Sequence, residues 1–504
     1  LTLPGDELHI DYACADGTPF PVAFSERRDL DVRWALDREH APTARTPLAD
    51  SVARAGAAGA AWAYAECGLA LPSTLRRKAP RANGFEYHVD HELPEAEQRA
   101  FTEGLAALVK QYGGTRGVWL NLCLPHVRDA CTWLQAPPED ATFRALAERH
   151  AYTWGHTAVA GVVARGDLRA VASSCEPAFG DRASLIAHEL AQGSENETIA
   201  ADVALVRIAR MDPDSVEAAS ARNEFLHEYG ARSVSWSIDH PTVLERPDLL
   251  DAQLRLLRRH SSRTLADGAV TNARARRRTL VEQVRARLGN DAERARFDRR
   301  LARLEAFVPV REARARWQLV ASGALRRAVQ ARGRVLVERG VIDEIDDVFF
   351  LTPSEFDEPA RGLRTDVPAR RADHERWMAV SPPVVIGDTG PGPSAVADDL
   401  VQGASGAPGV AAGPARVILD LLDAERLEPG DVLVTTMTSP PWTPLFGIAT
   451  AVVTDSGDAV SHVAIAAREY GIPCVVGTND ATRRVRDGSA ITVDGDAGIV
   501  RIHT

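Results

Sequence analysis

The chain lacks the features that mark several large functional classes. Its 504 residues contain no apolar run of the roughly eighteen residues that a membrane helix needs. Cysteine is sparse. Cys14, Cys67, Cys123, Cys131, Cys175 and Cys474 include no CxxC pair, and no Cys/His cluster has zinc-ligand spacing, so no metal site is expected. Scattered thiols suit a reducing compartment, and a cytoplasmic protein is expected. Lysine is almost absent and the net charge is −11, which argues against a general nucleic-acid binder. Residues 1–12 mix charged and apolar types and do not read as a signal peptide, and there is no initiator Met. The glycines of residues 403–413 lack the strand–loop–helix order and the Lys of a P-loop.

What is present fits a globular chain of two or three domains, with 45% hydrophobic and 26% charged residues. Residues 49–67 are Ala-rich and read as a helix. Apolar positions three and four apart predict further helices over 95–112, 139–163 and 181–229. Residues 247–340 form the longest helical zone, expected as two antiparallel helices broken near Asn290 or Pro309. Arginine is dense there, either as a solvated face or as an inward grip on phosphate. Residues 381–408 are rich in Pro and Gly and read as a linker. Short β-branched runs follow, interrupted by one helix over about 461–470. The expected fold is therefore α+β and multidomain, with a mostly helical region (1–380), a swivel linker (381–408) and a small α/β domain (409–504).

The most informative segment is Thr454-Asp-Ser-Gly457-Asp458-Ala-Val-Ser461-His462-Val-Ala-Ile-Ala-Ala-Arg468-Glu-Tyr-Gly-Ile-Pro-Cys-Val-Val-Gly477. An apolar strand runs into a Gly-containing turn, Ser461 is placed to cap a helix, and His462 falls in its first turn. A helix start offers N–H groups and partial positive charge to an anion. Neutral imidazole is nucleophilic near neutral pH, so it attacks phosphorus without a strong base, and a labile P–N bond lets the group be passed on. Thr454, Gly457, Ser461 and Arg468 are the expected phosphate contacts.

This segment resembles the phosphohistidine swivelling domain of the PEP-utilising enzymes, among them phosphoenolpyruvate synthase and rifampicin phosphotransferase. Flanking stretches extend the likeness over about residues 403–504: Gly409-Val-Ala-Ala-Gly-Pro-Ala-Arg416, Thr438-Ser-Pro-Pro-Trp442-Thr-Pro-Leu-Phe, and Asp487-Gly-Ser-Ala-Ile-Thr-Val-Asp494-Gly-Asp-Ala-Gly498. Asp458 replaces the second Gly of the family's pair and brings a carboxylate near the phosphate position. Upstream, Trp34-Ala-Leu-Asp37-Arg-Glu-His40, Phe225-Leu-His227-Glu-Tyr229-Gly-Ala-Arg232, Arg311-Glu312 and Asp346-Asp-Val-Phe-Phe-Leu-Thr352 more loosely resemble the substrate domain of rifampicin phosphotransferase-like proteins.

The resemblance implies a phosphotransferase component. His462 would accept a phosphoryl group and deliver it to a small-molecule hydroxyl or carboxylate, activating the acceptor for dehydration or cyclisation. Arg232, His227, Arg311 and His188 are the acceptor-domain candidates. No stretch of residues 1–400 reads as the family's ATP-grasp module, so ATP and Mg are expected to act through a separate ATP-grasp subunit, with no cofactor bound directly. No nucleic acid or membrane partner is expected. The alternative is an inactive small-molecule-binding relic, and the active reading requires space for an oxyanion at the His462 ring.

Overall fold

A computed structural model describes residues 8–503 apart from 15–16, 39, 41–42, 77–78, 90–92, 195, 261–265, 360–361, 389–398 and 460; for 266–267 and 311–312 only the backbone is described. Small residues set the spacing of the helical region. The helix Ala57–Glu66 is mostly alanine and packs along the 37-residue helix Phe143–Phe179. A Cβ on Gly59 would lie 1.8 Å from the Glu148 carbonyl oxygen, and one on Gly155 would lie 2.6 Å from the Ala63 Cβ. Glycine at these two points is what lets the backbones approach. The single helix expected over 49–67 is split into Pro47–Ala55 and Ala57–Glu66 at Gly56, where a Cβ would lie 2.5 Å from the Ala147 carbonyl oxygen.

Among the described residues the Arg-rich zone holds three helices rather than two: Pro247–Arg259, Ala266–Arg287 and Asp291–Glu338. Of the two expected breaks, Asn290 is the real one. Its side chain accepts the Glu293 N–H at 2.9 Å as an N-cap. The last helix runs straight through Pro309. A mid-helix proline costs about 3 kcal/mol, but Phe307, Val308 and Val310 are all buried around it, and each fully buried side chain contributes about 1.5–3 kcal/mol. Tertiary packing therefore overrides the local break signal.

The chain closes the helical region before leaving it. Val385–Gly387 pairs antiparallel with Arg33–Leu36, which also pairs with Tyr87–Val89. An eight-stranded mixed sheet follows, in the order Leu400–Gln402, Ile499–Ile502, Ala490–Asp494, Val410–Val417, Val432–Thr435, Ala451–Thr454, Cys474–Val476, Ala404–Ala407. Both ends of the expected linker 381–408 therefore carry short strands, and its Gly/Pro-rich middle lies outside the described residues. The nearby glycines serve close packing: a Cβ on Gly403 would meet the Val476 carbonyl oxygen at 2.4 Å, and one on Gly406 the Cys474 Sγ at 2.9 Å.

The central strands Val432–Thr435, Ala451–Thr454 and Cys474–Val476 are parallel and buried on both faces. Their alternation divides two cores. Val432, Val434, Ala451, Val453 and Val475 point into the domain's own core with Ile491, Val493 and Val500. Leu433, Val452, Cys474 and Val476 face the other way, with the helix His462–Tyr470. That second cluster continues into the helical region through Leu205, Val206, Phe225, Leu250, Leu254 and Leu257. The helix carrying His462 thus lies at an apolar junction between the two parts.

Candidate functional site

His462 is the first residue of the nine-residue helix His462–Tyr470. Ser461 has the extended backbone of an N-cap, but its hydroxyl does not cap the helix. It donates instead to the Asp458 carbonyl at 2.7 Å. Ser461 therefore tightens the loop and leaves the helix's first turn without a side-chain cap, contrary to the expectation from sequence. Gly457 has φ +99, and a Cβ there would lie 2.8 Å from the Ser461 Oγ. Glycine is required both by the backbone angle and by the space. Thr454 is fully buried and its hydroxyl donates to the Ser456 carbonyl at 2.7 Å. It holds the turn that follows the strand.

Arg468 lies in the last turn of the same helix and reaches back to the loop, donating to the Ala459 carbonyl at 2.5 Å. Asp458 is exposed, and its carbonyl accepts both the N–H and the hydroxyl of Ser461. The motif residues thus build one tight loop ahead of the imidazole.

One residue hydrogen-bonded to the ring is not among the candidates that the sequence singles out. Thr443 Oγ1 lies 3.2 Å from His462 Nε2 and 2.8 Å from the Pro440 carbonyl oxygen. When the hydroxyl donates to Pro440, Nε2 carries the ring proton and Thr443 accepts it; rotating the hydroxyl reverses the roles. Thr443 thereby orients the ring, and its hydroxyl can partner either tautomer. The signal was in the sequence, inside Trp442-Thr-Pro-Leu-Phe, but the stretch served only as a family marker.

His462 itself is 8% exposed. Around it the two parts of the chain are fastened by polar contacts. Tyr470 donates to Asp202 at 2.9 Å, Ser439 to the Val234 carbonyl at 2.9 Å, and Arg38 to the Asn479 carbonyl and side chain at 2.9 and 2.8 Å. Arg276 donates to the Arg468 carbonyl at 2.8 Å and to that of Glu469 at 3.2 Å, a cation at the helix's negative end. Burial holds the Asp202 carboxyl well above the ordinary carboxylate range, although the Tyr470 hydroxyl and Arg232 pull it back.

The acceptor-domain candidates do not form one cluster. Arg232 is buried near this junction, 4.4 Å from the Tyr229 ring centroid, with Glu197 at 3.5 Å. Burial, then repulsion from Arg316, lowers its pKa to about 10. His227 is exposed in the last turn of Val216–Tyr229. His188 is buried and donates from Nδ1 to the Ser184 carbonyl at 2.7 Å, beside a cavity of about 480 Å³ that also involves Arg165 and Arg169. The Arg311 side chain lies outside the described residues.

A second histidine, also missed, sits at the start of the helical region. His40 Nδ1 lies 3.1 and 3.2 Å from the two oxygens of Asp37, and its ring meets Trp154 and Trp236 edge-on at 5.3 and 5.6 Å between centroids. Burial would raise the Asp37 pKa, but the charge and hydrogen bonds of His40 outweigh it and hold the carboxyl below its usual range. Trp154 donates to Nε2 of the buried His150 at 3.2 Å, and burial lowers that imidazole's pKa to about 3, so it stays neutral. Arg38, between Asp37 and His40, is the residue that bonds Asn479 of the sheet domain.

His462 thus stands on a helix start, with a Gly-built loop before it and a mixed sheet behind it. Residues 427–498 match the mobile domain of PEP-utilising enzymes. It is 34% identical over 306 residues to rifampicin phosphotransferase of Streptomyces sviceus, covering 58% of this chain and 35% of that protein. It is 52% identical over 102 residues to phosphoenolpyruvate synthase of Aeropyrum pernix, covering 20% of this chain and 12% of the other. A 28% identical match to chondramide synthase of Chondromyces crocatus spans 99% of this chain and 14% of that protein. The matches thus span about a third or less of the lengths of these relatives. Among the described residues, no helix is long and apolar enough to cross a membrane.

Proposed function

We propose that this chain is the carrier and acceptor portion of a phosphotransferase. An imidazole nitrogen of His462 attacks the donor phosphorus, the donor P–O bond breaks, and a P–N bond forms. In the second step an acceptor oxygen attacks the same phosphorus, its proton passes to a base, and the P–N bond breaks to return neutral imidazole. The observation that carries this reading is the His462 ring at an uncapped helix start inside a family-matched mobile domain, with Thr443 orienting it.

His462 is buried where the two parts meet, so phosphoryl uptake requires the mobile domain to undock. The docked arrangement is then the delivery pose, with the acceptor bound by the helical region. The Asp37–His40 pair is suited to take the acceptor proton, because Asp37 fixes the imidazole and the two tryptophans offer apolar walls to a small molecule. Arg232 contributes positive charge near the junction. The donor is ATP with Mg, handled by an ATP-grasp module separate from these 504 residues. The acceptor is a hydroxyl or carboxylate of secondary metabolism, in keeping with the rifampicin and chondramide names of the relatives, and its phosphorylation prepares it for dehydration or cyclisation. The protein works in the cytoplasm.

The burial of His462 also favours a second reading, an inactive binding relic in which the ring only helps fasten the two parts. Intact-mass measurement after incubation with ATP, Mg and an ATP-grasp partner separates the two. Gain of one acid-labile phosphoryl group, absent in His462→Ala, supports the carrier. Lack of any adduct with an active partner supports the relic.

A further inference from the structure

The long helix Phe143–Phe179 brings together three residues that lie far apart in the sequence. Gly155 and Gly59 let the helix Ala57–Glu66 settle against it, which carries Cys67, just past that helix's end, to the buried His156. Cys67 Sγ lies 3.7 Å from His156 Nδ1. From a third direction, a π-helical turn, Trp119–Cys123, ends on Cys123. Such turns occur mostly as isolated insertions and are frequent at functional sites. The Sγ atoms of Cys67 and Cys123 and a ring nitrogen of His156 all lie within 4.8 Å of one another, and all three residues are buried.

The second nitrogen of His156 is also engaged. Nε2 lies 3.2 Å from Glu66 Oε2. An ionised carboxylate only accepts, so Nε2 carries the proton and the Nδ1 lone pair faces the sulfur of Cys67. Glu66 is itself held by the Tyr152 hydroxyl. A carboxylate fixing the far nitrogen of an imidazole is the usual outer-sphere arrangement at a metal-bound histidine.

We propose that Cys67, Cys123 and His156 form a binding site for a thiophilic divalent metal, Zn²⁺, with Glu66 positioning the imidazole and a water completing four-coordination. Zn–S and Zn–N bonds of about 2.3 and 2.0 Å at a tetrahedral angle put S and N about 3.5 Å apart, close to the 3.7 Å found. Two thiolates and one imidazole favour zinc over the oxygen-loving cations. The opposite grouping of Glu66, His126 and His156 is less suited. Its His126 and His156 rings stack face to face at 4.8 Å and 2°, and the His126 Nδ1 is 2.8 Å from the Tyr152 hydroxyl. A Cys67–Cys123 disulfide would use the same sulfurs but give no role to the Nδ1 lone pair.

On binding, each coordinating thiol loses its proton to solvent, so the metal is released as the pH falls. The site is separate from His462 and ties three helices of the acceptor region together.

The test is metal analysis of the full chain purified under reducing conditions, followed by replacement with Co²⁺. The expected result is one metal per chain, with a thiolate-to-cobalt charge-transfer band and the strong visible bands of tetrahedral cobalt. Cys67→Ser and Cys123→Ser should each lose that charge-transfer intensity or the metal itself, while Cys131→Ser and Cys175→Ser keep both. Glu66→Gln should weaken affinity about 10- to 100-fold. Should the cysteine variants fail to fold, the wild-type spectrum still decides. A reduced wild-type chain that binds no Co²⁺ or Zn²⁺, or one that gives an oxygen-only cobalt spectrum, overturns the proposal. So does a Cys67–Cys123 disulfide as the stable native form.

Discussion

His462 and His156 are both buried imidazoles, but they are held in opposite ways. His462 begins a helix, touches a neutral hydroxyl and lies at a junction between two parts of the chain. His156 sits in mid-helix, fully buried, between a carboxylate and a thiol. A rigid-body separation of the two parts would uncover the first. The second can be reached only by disturbing helix packing. On the proposed reading, the contrast separates a ring that reacts after a domain movement from one that stays fixed.

The largest effect expected is complete loss. His462→Ala should abolish phosphoryl uptake while leaving the thermal unfolding midpoint nearly unchanged, whereas His156→Ala should lower that midpoint and leave uptake intact. A calorimetric scan beside a phosphorylation assay reads both, and the reverse pattern would break the comparison. Next in size is Gly59→Ala. Its Cβ would fall 1.8 Å from a backbone oxygen, so a destabilisation of about 1–3 kcal/mol is expected in denaturant unfolding. A neutral result would mean that the helix crossing which positions Cys67 is not as close as described.

Smaller effects concern the junction. The Asp202 carboxyl has a raised pKa in the docked state. Its contribution to docking is fully present below the undocked carboxyl's ordinary value of about 4, and is lost as pH rises through the raised value. Docking should therefore loosen with rising pH. Asp202→Asn keeps an acceptor for Tyr470 and should flatten that dependence, read as the distance between labels on the two parts. An unchanged pH profile would remove Asp202 as its source. The smallest effect is at Thr443. Thr443→Val should slow phosphoryl uptake about tenfold, equal to about 1.4 kcal/mol, without loss of folding. Thr443→Ser should recover most of the rate.

The same contrast explains what the sequence made legible. The residues shaping the His462 loop lie within one contiguous stretch, so strand, turn and helix could be placed from local pattern, and the small α/β domain with them. Thr443, nineteen positions upstream, needed the fold to bring it to the ring. The local pattern puts Ser461 at the N-cap but leaves open where its hydroxyl goes, because a serine there can equally bond back into its own loop. In the helical region little of this local logic applies. Cys67 and His156 are 89 positions apart, and metal-ligand spacing rules describe short loops, so the constellation has no sequence signature. Pro309 shows the same limit, since burial of its neighbours sustains the helix that local propensity would break.

The most direct measurement is phosphorus NMR of the full chain treated with phosphoramidate, a chemical donor that needs no partner protein. A phosphohistidine resonance that is lost in acid, disappears in His462→Ala and survives in His156→Ala is what the account predicts. A chain whose only phosphohistidine signals persist unchanged in His462→Ala would contradict it.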